Sequence, residues 1–437
     1  MKKIVVLGGG ISGYGSAILA KRMGYEVLLS DKGMLAQKYI DLLQKYGVEF
    51  EQGGHSVERI LEADEVIKSP GIPDRVELIV KLREKGIPVI SEIEFAGRFL
   101  NGSKTICITG SNGKTTTTSL IYKILQDAGF SVALGGNIGE SFAFSVAEST
   151  ADWYVLEISS FQLDGMFDFR ADIAVLMNIT PDHLDRYNYK FENYAASKMR
   201  VAQNQTSNDS FIYSADDETI CSMMSRVVAT PLPFSKEHIA EGGTIRVEAA
   251  GRSLTIDVNK MQIKGLHNCY NAMAAASAAL AAGVTESQIL ESIYDFNPVE
   301  HRLEPAGVVD GVEYINDSKA TNVDSVWYAL DSMTRPTVWI AGGTDKGNDY
   351  APLIELARSK VHTLICMGLD NVALERAFGE VVPCVISTSS LEAACEAAYA
   401  AANERDVVLL SPACASFDLF KNYEDRGRQF KDWVAKR

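Results

Sequence analysis

Seven consecutive residues, Gly110-Ser111-Asn112-Gly113-Lys114-Thr115-Thr116, combine types that together handle phosphate. They follow an apolar run, Thr105–Thr109, and open a stretch of helical texture. A glycine turn between a strand and a helix presents backbone N–H groups to a ligand, and the helix dipole favours an anion there. In that setting Lys114 reaches terminal phosphates and the Thr115 hydroxyl can bind Mg²⁺. The loop has two residues between its glycines, where the usual phosphate-loop pattern has four. A nucleotide site is the expectation. A plain glycine turn before a Thr-rich helix is the rival, and Lys114 weakens it.

Two more apolar runs end in side chains that could serve such a site. Trp153–Leu156 terminates at Glu157, and Ile173–Met177 terminates in Asn178-Ile179-Thr180-Pro181-Asp182-His183. In a parallel sheet the strand ends share one edge, where ligands bind. Lys114, Glu157 and His183 are therefore expected as neighbours, with Glu157 available for Mg²⁺ or a water. A solvated strand-end acid and a surface or capping histidine are the plainer readings.

A second glycine turn, Gly8-x-Gly10-x-x-Gly13, follows Ile4–Leu7, with Asp31 about twenty residues on. Spacing alone favours a dinucleotide such as NAD here. The same helix N-terminus would accept any nucleotide diphosphate, and a structural turn stays open. Asp31-Lys32 could contact a ribose or a base.

Elements with the right periods surround these turns. Strands Ile4–Leu7, Glu26–Ser30, Glu65–Lys68 and Pro88–Ile90, with a helix running through Lys21, make a βαβ series and a mostly parallel sheet. A second series starts at Thr105. The interval 205–265 carries short alternating segments, Ser210–Tyr213, Thr244–Ala249 and Ser253–Val258, which predict an antiparallel patch. A third series holds strands Val312–Ile315, Thr337–Ile340, Thr363–Cys366 and Val407–Leu410. Three α/β blocks result, with junctions near residues 92 and 298.

Bulk properties fit that picture. A chain of 437 residues suggests several domains, and 46% hydrophobic with 23% charged residues is ordinary globular composition. The net charge of −15 argues against a broad nucleic-acid surface. The four-residue apolar run at Ile4–Leu7 is too short for a signal peptide, and the Ala-rich Ala272–Gly283 is too short to span a bilayer. Seven scattered cysteines without a CxxC pair suit free thiols in a reducing compartment. A cytoplasmic protein, with no nucleic-acid partner and no membrane insertion, is expected.

The motifs taken together resemble the Mur ligases of peptidoglycan synthesis. The resemblance rests on Gly110–Thr116, Glu157, Asn178–His183, His301-Arg302 and Asn316-Asp317-Ser318-Lys319-Ala320-Thr321. Ser69-Pro70-Gly71-Ile72-Pro73, Ser411-Pro412-Ala413-Cys414-Ala415-Ser416-Phe417-Asp418 and Lys421-Asn422-Tyr423-Glu424-x-Arg426-Gly427 are similar to the D-glutamate-adding branch. The resemblance covers essentially the whole chain.

It implies a three-domain α/β architecture. Residues 1–92 would form a Rossmann-like domain for the UDP-sugar substrate, in place of the NAD that spacing favours. Residues 93–298 would form a central P-loop ATPase domain with a mostly parallel sheet. Residues 299–437 would form a Rossmann-like C-terminal domain contributing to ATP and D-glutamate binding. The implied reaction is ATP-dependent addition of D-glutamate to UDP-N-acetylmuramoyl-L-alanine through an acyl phosphate, with Mg²⁺, by a monomer.

The resemblance also implies residue roles. Ile11, Ser12, Asp31, Lys32 and Gly71 would border the UDP part, and Asn137 would contact the substrate. Lys198 matches a lysine that is carbamylated in the family, which turns a cation into a metal-binding carboxylate. By its own local pattern Lys198 reads as a helix-surface lysine. Asn268 and Asn271, three apart on one helix, would lie near the adenine, though capping is their plainer reading. Arg302, Asp317 and Lys319 would close over the nucleotide; unaided, they read as surface charges. Thr321, Lys346, Ser416, Phe417 and Tyr423 would surround D-glutamate.

Other readings remain at this level. The diaminopimelate- or lysine-adding ligases and folylpolyglutamate synthases share much of the pattern, but the Asp-Asn-Pro-Arg motif of the diaminopimelate-adding enzyme is absent from the sequence. An NAD-dependent oxidoreductase leaves the phosphate loop unexplained. A non-catalytic nucleotide-regulated module leaves Lys114, Glu157, His183 and Lys198 unexplained.

Overall fold

The computed structural model describes every residue except Pro298 and Lys346, together with the side chain of Asp185 left aside. The chain packs as two compact units. One holds residues 1–260 and 270–295, the other residues 261–269 and 296–437.

The first unit contains two parallel sheets. β1 (Lys3–Leu7), β2 (Glu26–Asp31), β3 (Glu49–Gln52), β4 (Glu65–Lys68) and β5 (Val89–Ile90) run in the order β3-β2-β1-β4-β5. The order reverses between β1 and β4, so a crevice opens beyond their carboxyl ends. Those ends are Gly8 and Ser69, the starts of the first glycine turn and the Ser69–Pro73 segment.

The second sheet contains β6 (Lys104–Thr109), β7 (Val132–Gly136), β8 (Trp153–Glu157), β9 (Ile173–Leu176), β10 (Ser210–Ser214) and β11 (Thr230–Phe234), in the order β11-β10-β9-β6-β8-β7. All its neighbours are parallel. The Ser210–Tyr213 segment therefore departs from the antiparallel patch expected of it. It continues the parallel sheet beside β9. It lies between β9 and β11, and the adjacent residues Phe211 and Ile212 are both buried, so the alternation in its sequence is not matched by an alternation in burial. The antiparallel patch is smaller: β12 (Ile239–Ala240), β13 (Thr244–Ala249) and β14 (Arg252–Asp257).

One apolar cluster joins both parallel sheets of this unit, with Ile4, Tyr14, Phe95, Phe142, Phe169 and Phe211 among its buried members. Helix Ile11–Arg22 packs on helix Phe142–Glu148. The approach is close at Gly15, where a Cβ would stand 1.8 Å from Ser141 Oγ. The Tyr14 hydroxyl donates to the Glu140 carboxylate. Glu92, 1% exposed, accepts from Ser141 Oγ and from the Ala143 N–H at 3.1 Å. Glu94, equally buried, accepts from the N–H groups of Phe167, Asp168 and Phe169.

The second unit is built on β15 (Glu304–Val309), β16 (Val312–Asn316), β17 (Thr337–Ala341), β18 (Val361–Met367), β19 (Cys384–Thr388) and β20 (Val407–Leu410), in the order β15-β16-β20-β17-β18-β19. Among these six strands the β15–β16 pair is antiparallel and the other pairs are parallel. Apolar clusters cover both faces, one around Trp339 and Phe378 and one around Tyr314 and Phe430. Strands buried on both faces read as continuous apolar runs, which is why β17 and β20 are visible in sequence. Among the described residues no helix is long and apolar enough to cross a membrane.

Candidate active site

The phosphate loop forms because two glycines take backbone conformations closed to other residues. Gly113 has φ +81°, and a Cβ there would meet Asn271 Oδ1 at 2.6 Å. Gly113 also precedes helix Lys114–Asp127 without a side chain to cap it, so the helix N-terminus is bare toward the loop. Ser111 and Asn112 are spent on architecture. Asn112 N–H donates to Asn178 Oδ1 at 2.8 Å, and Asn178 Nδ2 donates back to the Asn112 carbonyl at 3.2 Å. Ser111 Oγ donates to the Thr180 carbonyl at 2.8 Å and accepts from Thr180 N–H at 2.9 Å. These bonds lock the loop to the segment following β9.

Lys114 folds back so that Nζ donates to the carbonyls of Gly110 and Ser111, both at 2.8 Å. Lys198, from helix Phe191–Met199, donates to the same Gly110 carbonyl at 2.7 Å. Lys198 is 2% exposed, so the surface position expected from its local pattern is incorrect. Nine residues of helix give a weak periodic signal, and the phosphate loop that covers Lys198 is remote in sequence. Burial drives its amine well below the ordinary lysine range, and the Lys114 ammonium adds to this.

Glu157, at the end of β8, is 1% exposed. Its Oε1 accepts from Asn137 Nδ2 at 2.8 Å, and its backbone carbonyl accepts from Asn137 N–H at 2.8 Å. Its Oε2 is buried without a hydrogen-bond partner, as is Thr109 Oγ1 at the end of β6. A buried carboxylate oxygen left unpaired is costly, and a cation would relieve the cost. Thr115 lies buried in the first turn of the adjoining helix. The hydroxyl of Thr115 and the carboxylate of Glu157 are oxygen donors of the kind a hard divalent cation takes. His183 follows in a left-handed conformation, φ +52°, with its ring edge against Phe161 at 5.2 Å. The Arg186 guanidinium covers the same Phe161 ring at 4.2 Å.

At the first glycine turn, both Asp31 oxygens are engaged by the backbone: Gly9 N–H donates to one at 2.6 Å and Gly33 N–H to the other at 2.7 Å. A Cβ on Gly13 would lie 1.8 Å from the Gly8 carbonyl, so helix and turn meet backbone to backbone. Ile11 is exposed at the helix start, with Ser12 beside it half-buried. Lys32 and Gly71 are exposed. These residues border the β1–β4 crevice.

In the second unit, Asp317 follows β16 and is 4% exposed. Ser411 Oγ donates to its Oδ2 at 2.7 Å and Leu303 N–H to its Oδ1 at 3.3 Å. Burial lifts its carboxyl to about 7 against the pull of these donors and of Arg302. Arg302 Nε is buried without a partner. Lys319 Nζ lies 5.4 Å from the Tyr423 ring centre. Thr321 N–H donates to the Lys319 carbonyl. Ser416 is buried and Phe417 is 73% exposed. Lys346 lies outside the described residues. Asn268 and Asn271 sit on helix Leu266–Ala281; Asn268 Nδ2 donates to the Lys264 carbonyl, and Asn271 Oδ1 accepts from Thr117 Oγ1 at 3.1 Å.

The structure thus gathers Gly110–Thr116, Asn137, Glu157, His183, Lys198 and Asn271 at one sheet edge, and Arg302, Asp317, Lys319, Thr321, Ser416, Phe417 and Tyr423 at another. Sequence reasoning missed Tyr194, whose hydroxyl lies 3.0 Å from Ser111 Oγ and whose ring faces Lys198 Nζ at 4.7 Å. Its place in Tyr194-Ala195-Ala196-Ser197-Lys198, one helical turn before the lysine, was the available cue.

Fold and site together define a P-loop ligase architecture, and family comparison agrees. Residues 2–91 match the Mur ligase MurD-like N-terminal domain, 108–279 the Mur ligase middle domain and 301–414 the Mur ligase glutamate ligase domain. The chain belongs to the Mur ligase family. Within it, the chain is 52% identical over 441 residues to the UDP-N-acetylmuramoylalanine--D-glutamate ligase of Christiangramia forsetii, with 99% of each chain covered. It is also 52% identical over 444 residues, again 99% of each, to the protein of the same name from Bacteroides fragilis. Among solved structures, the MurF ligase of Thermotoga maritima in complex with ADP shares the fold at a TM-score of 0.63 and 16% identity, over 94% of this chain and 95% of that one.

Proposed function

We propose that the chain joins D-glutamate to UDP-N-acetylmuramoyl-L-alanine at the expense of ATP, a step of peptidoglycan synthesis. The observation that carries the reading is the pairing of Lys114 and Lys198 on the Gly110 carbonyl, beside the unpartnered Glu157 Oε2. It comes with full-length identity to ligases of that name.

Joining a free carboxylate to an amine is uphill in water, so the carboxylate must be activated. The alanine carboxylate attacks the γ-phosphorus of ATP, the bond to the bridging oxygen breaks, and ADP leaves. The D-glutamate amine then attacks the acyl carbon, phosphate leaves, and the amine gives up its proton. Every reactant is anionic, so catalysis is chiefly positioning and charge stabilisation. The backbone of Gly110–Thr116 and Lys114 would bind the phosphates. Thr115, Glu157, His183 and carbamylated Lys198 would hold Mg²⁺, which when bound neutralises phosphate charge. A low-pKa amine such as that of Lys198 is the uncharged nucleophile that carbamylation by CO₂ requires. Asn268 and Asn271 would lie near the adenine, with Arg302, Asp317 and Lys319 around the nucleotide.

The proposed division of labour is 1–92 for the UDP substrate, 93–298 for ATP and 299–437 for ATP and D-glutamate. Ile11, Ser12, Asp31, Lys32, Gly71, Asn137 and His183 would serve the first substrate, and Thr321, Lys346, Ser416, Phe417 and Tyr423 the amino acid. We place the protein in the cytoplasm, where UDP-linked precursors are made. Phosphate release from ATP tests the reading. It should require both UDP-N-acetylmuramoyl-L-alanine and D-glutamate, and release that ignores either one would refute it.

A further inference from the structure

Arg426 has the geometry of a part that holds other parts in place. It lies in helix Tyr423–Ala435 and is fully buried. A buried guanidinium normally pairs with a carboxylate, yet the acceptors here are a hydroxyl and carbonyls. Nε donates to Ser318 Oγ at 2.9 Å and one terminal nitrogen to the Ser318 carbonyl at 2.9 Å. Both terminal nitrogens donate to the Cys414 carbonyl at 3.3 Å, and one also reaches the Gly342 carbonyl at 3.4 Å.

These acceptors lie just past the ends of three adjacent strands: Ser318 after β16, Gly342 after β17 and Cys414 after β20. The same three segments bond to one another. Ala413 N–H donates to the Ala320 carbonyl, Gly342 N–H to the Pro412 carbonyl, and Thr344 and Ala415 exchange backbone bonds at 2.8 and 3.2 Å. Ala413 takes a left-handed conformation, φ +61°, a strained setting for a residue with a Cβ. The chain is bent there so that the next carbonyl, that of Cys414, meets the guanidinium. Ser318 Oγ in turn donates to the Tyr423 carbonyl at 2.8 Å, which brings the start of the arginine's own helix into the bundle.

We propose that Arg426 is a positioning residue for D-glutamate, setting the mutual register of the Asp317–Thr321, Gly342–Thr344 and Cys414–Phe417 segments. The inference rests on the function proposed above. Arg426 touches no substrate in this scheme. It acts through Thr321, Ser416, Phe417 and Tyr423, which these segments and its helix carry. Only a planar fork with donors on three sides can serve three carbonyl-bearing segments at once, so lysine is not equivalent.

The test is steady-state phosphate release, varying each substrate, for wild type, Arg426→Lys and Ser318→Ala. The lysine variant keeps the charge and loses the fork. It should raise KM for D-glutamate about tenfold, the loss of at least one charge-assisted hydrogen bond, with KM for UDP-N-acetylmuramoyl-L-alanine within about twofold. Ser318→Ala removes the Nε acceptor and leaves the carbonyl contacts, so it should raise the same constant by about threefold. An unchanged D-glutamate KM in both variants overturns the inference, and so does an equal rise for both substrates. Should Arg426→Lys fail to fold by circular dichroism, Ser318→Ala decides alone by the same criterion. Wild type lacking D-glutamate-dependent release would instead sink the function, so the two failures are told apart.

Discussion

Lys198 and Lys114 direct their amines at one acceptor, the Gly110 carbonyl, at 2.7 and 2.8 Å. Two ammonium groups on one buried oxygen repel, and burial already disfavours charge on Lys198. A lysine whose folded pKa lies below its unfolded value costs stability at every pH below the unfolded value, because the unfolded chain gains a proton that the folded chain refuses. Against wild type freed of any CO₂ adduct, Lys198→Met should therefore raise the melting temperature at pH 7 while abolishing turnover. Differential scanning calorimetry with an activity assay checks both. A CO₂ adduct on wild type, absent from the variant by native mass spectrometry, would account for the loss.

Glu157 makes a parallel case. Glu157→Gln keeps an acceptor for Asn137 Nδ2 and removes the carboxylate whose Oε2 has no partner. Melting temperature should hold or rise. The rate should fall by about a hundredfold or more if the carboxylate holds the metal ion. The Mg²⁺ titration should shift to higher concentration in the same variant. A normal Mg²⁺ midpoint would remove Glu157 from the metal site.

Lys114→Ala should leave the binding of UDP-N-acetylmuramoyl-L-alanine unchanged by calorimetry and reduce turnover below detection. The amine lies on the loop itself, on the Gly110 and Ser111 carbonyls, where it would meet charge developing on a transferred phosphoryl group. Full activity in this variant would refute the assignment of the loop.

Asp317 supplies the pH prediction. Its carboxyl is lifted to about 7 from an ordinary value of 3.8. A raised acid contributes stability fully below the unfolded pKa, and that contribution is lost as pH rises through the folded one. Asp317→Asn should flatten the fall in stability between about pH 4 and about pH 7, read from urea midpoints at each pH. An identical pH profile in the variant would show that the carboxyl is not buried as described.

Gly15→Ala tests the packing of helix Ile11–Arg22 on helix Phe142–Glu148. A Cβ would stand 1.8 Å from Ser141 Oγ and 3.0 Å from Phe144 Cβ. Overpacking of this kind costs about 1–3 kcal/mol, visible in urea denaturation. Because Ser141 also serves Glu92, which accepts a hydrogen bond from the Ser12 side chain at the first glycine turn, the UDP-substrate KM should rise as well.

Which features were legible in the sequence follows from how local their causes are. The strand, glycine turn and helix at 104–127 obey short-range rules: an apolar run, two left-handed glycines and a bare helix start. The strand ends at Glu157 and Asn178 were readable because buried parallel strands are apolar throughout. Ser210–Tyr213 reads as part of an antiparallel patch because a short segment does not announce its partners; its parallel pairing with β9 and β11 is set by contacts remote in sequence. Lys198 looked like a surface residue because nothing within its helix announces a loop 88 residues away lying over it. The position of Arg426 in a motif was visible; its service to three strand ends was not, since that depends on strand order.

The shared apolar cluster of the first unit has a practical consequence for anyone who cuts or recombines this gene. The five-stranded sheet ends at Ile90, but Tyr14, Phe95 and Phe142 are buried in one continuous interior. A fragment ending near residue 92 would carry the glycine turn yet leave Tyr14 and its neighbours uncovered, a recipe for inclusion bodies. Chimeras exchanging the N-terminal sheet between relatives would do better to move both parallel sheets as one cassette.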